Sequence, residues 1–134
     1  MSLTVLVVED DFDLREALVD TLDLAGINAI EAKDAESAIL RLKSSAVDMV
    51  VSDVNMPGID GHALLKYVTE NVPSTPMLLM TAFGQVDKAV DAIRKGAVDY
   101  LLKPFEPDAL ITIIHQYAGG VSKGFSEQVR VKRS

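Results

Sequence analysis

The feature that most constrains this chain is a set of short apolar runs separated by stretches with helical spacing. Residues 3–8, 49–52 (following Val47) and 77–80 are nearly unbroken apolar runs. Residues 28–31 and 100–102 are shorter and suit edge strands. Unbroken rather than alternating runs indicate strands covered on both faces, the condition of a parallel sheet. Between them, apolar residues recur at three and four. Leu14, Ala17, Leu18, Thr21, Leu22 and Ala25 form one stripe, with Gly26 as its stop. Further stripes are Ala35/Ala38/Ile39/Leu42, Leu64/Leu65/Val68/Val72, Val86/Ala89/Val90/Ile93 and Ala109/Leu110/Ile113/Ile114/Tyr117. Such stripes are ordinarily core faces. Strands alternating with helices predict an α/β, doubly wound domain with a five-stranded parallel sheet and five helices, over residues 1–118. Residues 119–134 lack periodicity and read as a linker or C-terminal tail.

In such a sheet, ligands collect beyond the carboxyl ends of the strands, where strand order reverses. The residues after each run therefore matter most. They are Glu9-Asp10-Asp11, then Asp53, then Thr81, then Lys103 followed by Pro104. Taken singly, each has a bland explanation: Asp10 or Asp11 can cap a helix, Thr81 can cap another, and Lys103 can be solvated. Asp53 resists that treatment, because it directly follows an apolar strand and precedes a Met-Pro-Gly turn. Carboxylates converging on one edge require a cation, and an all-oxygen set suits Mg²⁺. Zinc is disfavoured, since there is no Cys and the two His, His62 and His115, are not at ligand spacing. Cations arranged around one carboxylate suit it to receive a phosphoryl group.

Charge and composition narrow the partners. The formal charge is −7, yet residues 119–134 hold four basic residues against one acidic, so the remainder carries −10. A body so acidic should not itself bind nucleic acid. The absence of Cys fits a reducing cytoplasm, and no apolar stretch is long enough to span a membrane.

At these same positions the sequence closely resembles the receiver domain of two-component response regulators. The resemblance covers about residues 3–118 and rests on Glu9-Asp10-Asp11, on Ser52-Asp53-Val54-Asn55-Met56-Pro57-Gly58-Ile59-Asp60-Gly61, on Met80-Thr81-Ala82, and on Asp99-Tyr100-Leu101-Leu102-Lys103-Pro104-Phe105. It implies a flavodoxin-like strand order 2-1-3-4-5. It implies that Asp53 is the phospho-acceptor and that Glu9, Asp10, Asp53 and the backbone carbonyl of Asn55 serve Mg²⁺. Asp11 is a further metal candidate, because three successive acids blur the register. Thr81 and Tyr100 resemble the family's switch pair. Lys103 should pair with the phosphoryl group, and its bond to Pro104 should be cis.

The resemblance further implies a sensor histidine kinase as phosphoryl donor in a phosphorelay, slow self-catalysed dephosphorylation, and a possible homodimer through the helix 4–strand 5–helix 5 face. The wording around Thr81-Ala82-Phe83-Gly84 and Gly96-Ala97-Val98-Asp99-Tyr100-Leu101 looks like receivers of the nitrogen-regulation type, which precede an ATPase that activates transcription with sigma factor 54. A downstream effector domain is thus expected, with a stand-alone receiver acting through protein contacts as the alternative. A Mg²⁺-dependent phosphohydrolase with an aspartate nucleophile would want a second Asp where Asn55 stands. A flavodoxin-like electron carrier would want a Ser/Thr/Gly loop where the three acids stand. Neither a phosphate-binding G-x-x-x-x-G-K-[ST] nor a G-x-S-x-G element occurs.

Overall fold

The computed structural model describes residues 3–56, 58, 60–82 and 86–118. The Val86 side chain, the motif residues Pro57, Ile59, Phe83 and Gly84, and the tail 119–134 lie outside the described residues. The elements run β1 (Thr4–Val8), α1 (Phe12–Leu24), β2 (Asn28–Ala32), α2 (Ala35–Ser44), β3 (Met49–Asp53), α3 (Gly61–Asn71), β4 (Met77–Ala82), α4 (Val86–Arg94), β5 (Asp99–Lys103) and α5 (Pro107–Tyr117). The strands form one sheet in the order β2-β1-β3-β4-β5, every neighbour parallel. The expected architecture is thereby found, with the two short runs at the two edges.

Strand alternation divides the core in two. Val5, Val7, Met49, Val51, Leu78 and Met80 point to one face and meet Leu18 and Leu22 of α1 with Leu110 and Ile114 of α5. Leu6, Val8, Val50, Met77 and Leu79 point to the other and meet Ala35 and Ala38 of α2, Leu64, Leu65 and Val68 of α3, and Ala92 of α4. Successive residues of a strand face opposite sides, so an unbroken apolar run feeds both cores at once. β3 is buried along its whole length, its terminal Asp53 included.

Helix starts follow local chemistry. Asp11, Asp34 and Asp60 precede α1, α2 and α3, and each carboxylate accepts from a backbone N–H three residues on. One stripe was misplaced. Spacing put Val90 and Ile93 on the inner face of α4, but Ala89 and Ala92 are the buried pair, and Val90 and Ile93 remain 39% and 38% exposed. Small side chains let α4 lie close to the sheet, and the bulkier residues are left on the outer flank.

Candidate functional site

Because all five strands are parallel, their carboxyl ends share one edge, and β1 has β2 and β3 on its two sides. That is the switch point at which such sheets bind ligands. Glu9 follows β1 and is only 1% exposed, Asp53 ends β3 at 7%, and Thr81 in β4 is fully buried. Lys103 ends β5 and reaches across the edge. Its Nζ donates to Glu9 Oε1 at 2.9 Å and lies 3.3 Å from Asp53 Oδ1. The Lys103–Pro104 peptide bond is cis, as the family resemblance implied.

Glu9 is held at every polar group. Its N–H donates to the Ala32 carbonyl at 3.0 Å, and its Oε2 accepts from the Asp11 N–H at 3.1 Å. Asp10, exposed at the mouth, completes a group of three acids with Glu9 and Asp53, each offering an oxygen within 4.8 Å of the others. Burial pushes the carboxyls of Glu9 and Asp53 above their ordinary values; Lys103 counters this at both, aided by the Asp11 N–H at Glu9 and the Asn55 N–H at Asp53. Burial alone would lower the Lys103 ammonium, but its bond to Glu9 and the charges of Asp53 and Glu9 outweigh it and raise its pKa.

The other expected residues fall as follows. Asn55 is exposed beside the site, and its Oδ1 accepts from Lys88 of α4 at 3.3 Å. Tyr100 is half-buried in β5, one position beyond Asp99. Asp11 turns away from the acidic group, because its carboxylate accepts the Leu14 N–H to cap α1. Asp10 and Asp11, equal candidates by sequence for the helix cap, are thus given different surroundings: Asp11 caps α1 and Asp10 joins the acidic group.

Three features were not anticipated. Gly61 begins α3 against the strand end. A Cβ there would lie 2.6 Å from the Asp53 carbonyl oxygen and 2.9 Å from the Val54 Cα, so only glycine lets the helix close over the turn that carries Asp53. Arg15 of α1 donates to the main-chain carbonyl of Glu9 at 2.7 Å. Lys88 reaches over from α4 to Asn55. For Arg15 the only sequence signal was a cation in the first turns of a helix that follows an acidic strand end, and Lys88, on a helix that follows Thr81-Ala82, had not even that.

Three carboxylates facing one ammonium leave two negative charges, which a divalent cation would neutralise. All the donors are oxygens, so the set fits a hard ion. The Thr81 hydroxyl is buried without a hydrogen-bond partner among the described residues. An unsatisfied group of this kind costs about 1–3 kcal/mol, and a phosphoryl oxygen at the adjacent strand end would satisfy it.

Comparison with known proteins matches residues 5–115 to the response regulator receiver domain. The chain belongs to that family. Among curated relatives, this receiver domain is 50% identical to the response regulator protein FleR of Pseudomonas aeruginosa over 127 residues, which are 95% of this chain and 27% of that protein. It is 38% identical to the DNA-binding transcriptional regulator NtrC of Escherichia coli over 112 residues, 84% of this chain and 24% of NtrC. The receiver domain of NtrX from Brucella abortus superposes with a TM-score of 0.83 at 33% identity, covering 86% of this chain and 98% of that one. The chain therefore spans about a quarter of the length of these curated relatives. No described helix is long and apolar enough to cross a membrane.

Proposed function

We propose that Asp53 is the phospho-acceptor of this receiver domain and that Mg²⁺ is the ion held by Asp10, Asp53 and the Asn55 carbonyl, with Glu9 acting through water. The observation that carries the reading is Lys103 bridging Glu9 and Asp53 at 2.9 and 3.3 Å, with Asp10 completing the acidic group. A carboxylate oxygen of Asp53 attacks phosphorus in line. The P–N bond of a phosphohistidine on a sensor kinase breaks, the imidazole leaves with its electron pair and takes up a proton, and an acyl phosphate forms. Mg²⁺, when bound, supplies positive charge to the phosphoryl oxygens as they transfer. Lys103 is placed to follow the new charge, exchanging a carboxylate contact for a phosphoryl one. Water later attacks the same phosphorus, the bond from phosphorus to the Asp53 oxygen breaks, and carboxylate and inorganic phosphate return. The domain thereby limits the lifetime of its own signal.

Thr81 then donates its free hydroxyl to a phosphoryl oxygen, and Tyr100 turns into the space it leaves. Two populations, one favoured by phosphate, account for switching. The exposed Val90 and Ile93 on α4 support a homodimer through the α4–β5–α5 face. The greater length of FleR and NtrC supports residues 1–118 as the receiver and 119–134 as a linker to an effector domain, with transcription as output in the cytoplasm. A net −10 on residues 1–118 argues against nucleic-acid binding by the receiver itself.

Incubation with acetyl phosphate and Mg²⁺ tests the assignment. The wild type should gain one phosphoryl group by intact mass, and Asp53→Asn should gain none. Equal labelling of that variant would place the acceptor elsewhere.

A further inference from the structure

The acidic turn after β1 has a cation behind it as well as in front. The Arg15 side chain is only 13% exposed, and both ends of its guanidinium are used. Nη1 donates to the Glu9 main-chain carbonyl at 2.7 Å, and Nε donates to Glu31 Oε1 of β2 at 3.1 Å. The guanidinium carbon also lies 5.5 Å from the centre of the Phe12 ring, within cation–π range. A planar fork gripped at three places has little freedom left.

The carbonyl that Arg15 holds belongs to the peptide joining Glu9 to Asp10. The N–H of Glu9 is already bound to Ala32. With both main-chain groups of Glu9 engaged, the plane of the next peptide is set, and with it the direction in which the Asp10 side chain leaves the backbone. Asp10 has most need of such help. Lys103 and the Asp11 N–H hold the Glu9 carboxylate, whereas no hydrogen bond among the described residues holds that of Asp10, which is exposed.

We propose that Arg15 is a positioning residue for the divalent-cation site, orienting Asp10 through the Glu9–Asp10 peptide. This rests on the Mg²⁺ reading above. Electrostatics alone would give the opposite sign, since deleting a cation near a cation site should tighten binding. Glu31 neutralises Arg15, which leaves that repulsion small and lets geometry dominate.

The test is a Mg²⁺ titration of the full chain, followed by the amide NMR shifts of Glu9, Asp10 and Asp53, beside urea unfolding of the same samples. Arg15→Ala should weaken Mg²⁺ binding about tenfold, as loss of outer-sphere support commonly does. Arg15→Lys keeps the charge and most of the stem but cannot bridge two acceptors, and should lose about threefold. Affinity equal to or tighter than wild type in Arg15→Ala, with any effect confined to unfolding, overturns the proposal. Should that variant not fold, wild-type affinity in Arg15→Lys overturns it instead. A wild-type protein whose shifts ignore Mg²⁺ would overturn the site reading itself, together with this one.

Discussion

The two halves of the strand-end crevice differ in how completely their polar groups are matched. On the β1–β3 side, Glu9 is bonded at its N–H, its carbonyl and both carboxylate oxygens, and Lys103 ties it to Asp53. On the β4–α4 side, Thr81 is buried without a hydrogen-bond partner among the described residues, Val90 and Ile93 stay outside the core, and Lys88 reaches Asn55 of the β3–α3 turn at 3.3 Å. One half is built to hold a charge in place. The other keeps a buried hydroxyl unmatched among the described residues, which under the proposed function an anion at Asp53 would engage.

The strongest way to break this contrast is to cut the tie on the rigid side. Lys103→Met leaves two buried carboxylates facing each other, and should cost the metal-free protein about 3–5 kcal/mol in urea unfolding. Its labelling by acetyl phosphate should fall at least about a hundredfold, on the scale of losing one preorganised charge at a transferring group. Mg²⁺ should recover more stability in this variant than in the wild type, because it replaces the missing charge.

A pH series probes the same side more gently. Burial raises the carboxyls of Glu9 and Asp53 above their ordinary 4.5 and 3.8, so the folded protein binds more protons than the unfolded chain just above those values. Unfolding free energy of the metal-free protein should therefore fall as pH rises from those values through the raised folded ones. Stabilisation by Mg²⁺ should grow over the same window, since the ion requires the charged carboxylates. Thermal unfolding at several pH values, with and without Mg²⁺, would show it. Stability climbing through that window without metal would contradict the burial argument.

On the responsive side, Thr81→Val removes an unsatisfied hydroxyl and should stabilise the unphosphorylated protein by up to about 1 kcal/mol. The variant should still be labelled at Asp53, yet lose the chemical-shift changes that phosphorylation causes along β5. A destabilised variant would mean that the hydroxyl is satisfied. The smallest effect belongs to Lys88→Ala. An exposed contact of this kind contributes roughly 0.5 kcal/mol or less, so unfolding should hardly move. A loss above about 1 kcal/mol would make α4 as firmly fastened as the β1–β3 side.

Much of this was legible in the chain. The central strands announced themselves because burial on both faces demands unbroken apolar runs, and residues following such runs must lie at one sheet edge. That logic led to Glu9, Asp53, Thr81 and Lys103 without any contact map. The inner face of α4 was misread in part: the stripe included the buried Ala89, but hydrophobic spacing added the bulkier Val90 and Ile93 where Ala92 is the second buried residue. As helix caps Asp10 and Asp11 were alike, since both are acids after a strand and before a helix, and only the resemblance ranked Asp10 ahead of Asp11 at the metal. The purpose of Gly61 and Arg15 was not legible, because each serves a backbone carbonyl, and main-chain contacts leave no pattern of side-chain types.

Alternating periodicities and polar strand ends are local properties, and they alone determined the layered parallel architecture and the identities of the groups that meet at its edge. Distances, sharing and vacancy are properties of close packing between segments remote in the chain. Only the tertiary structure decided that one ammonium would serve two carboxylates, that one of three acids would turn away to cap a helix, and that one buried hydroxyl would have no partner among the described residues. Each outcome depends on a few ångströms of backbone placement, to which sequence periodicity is blind.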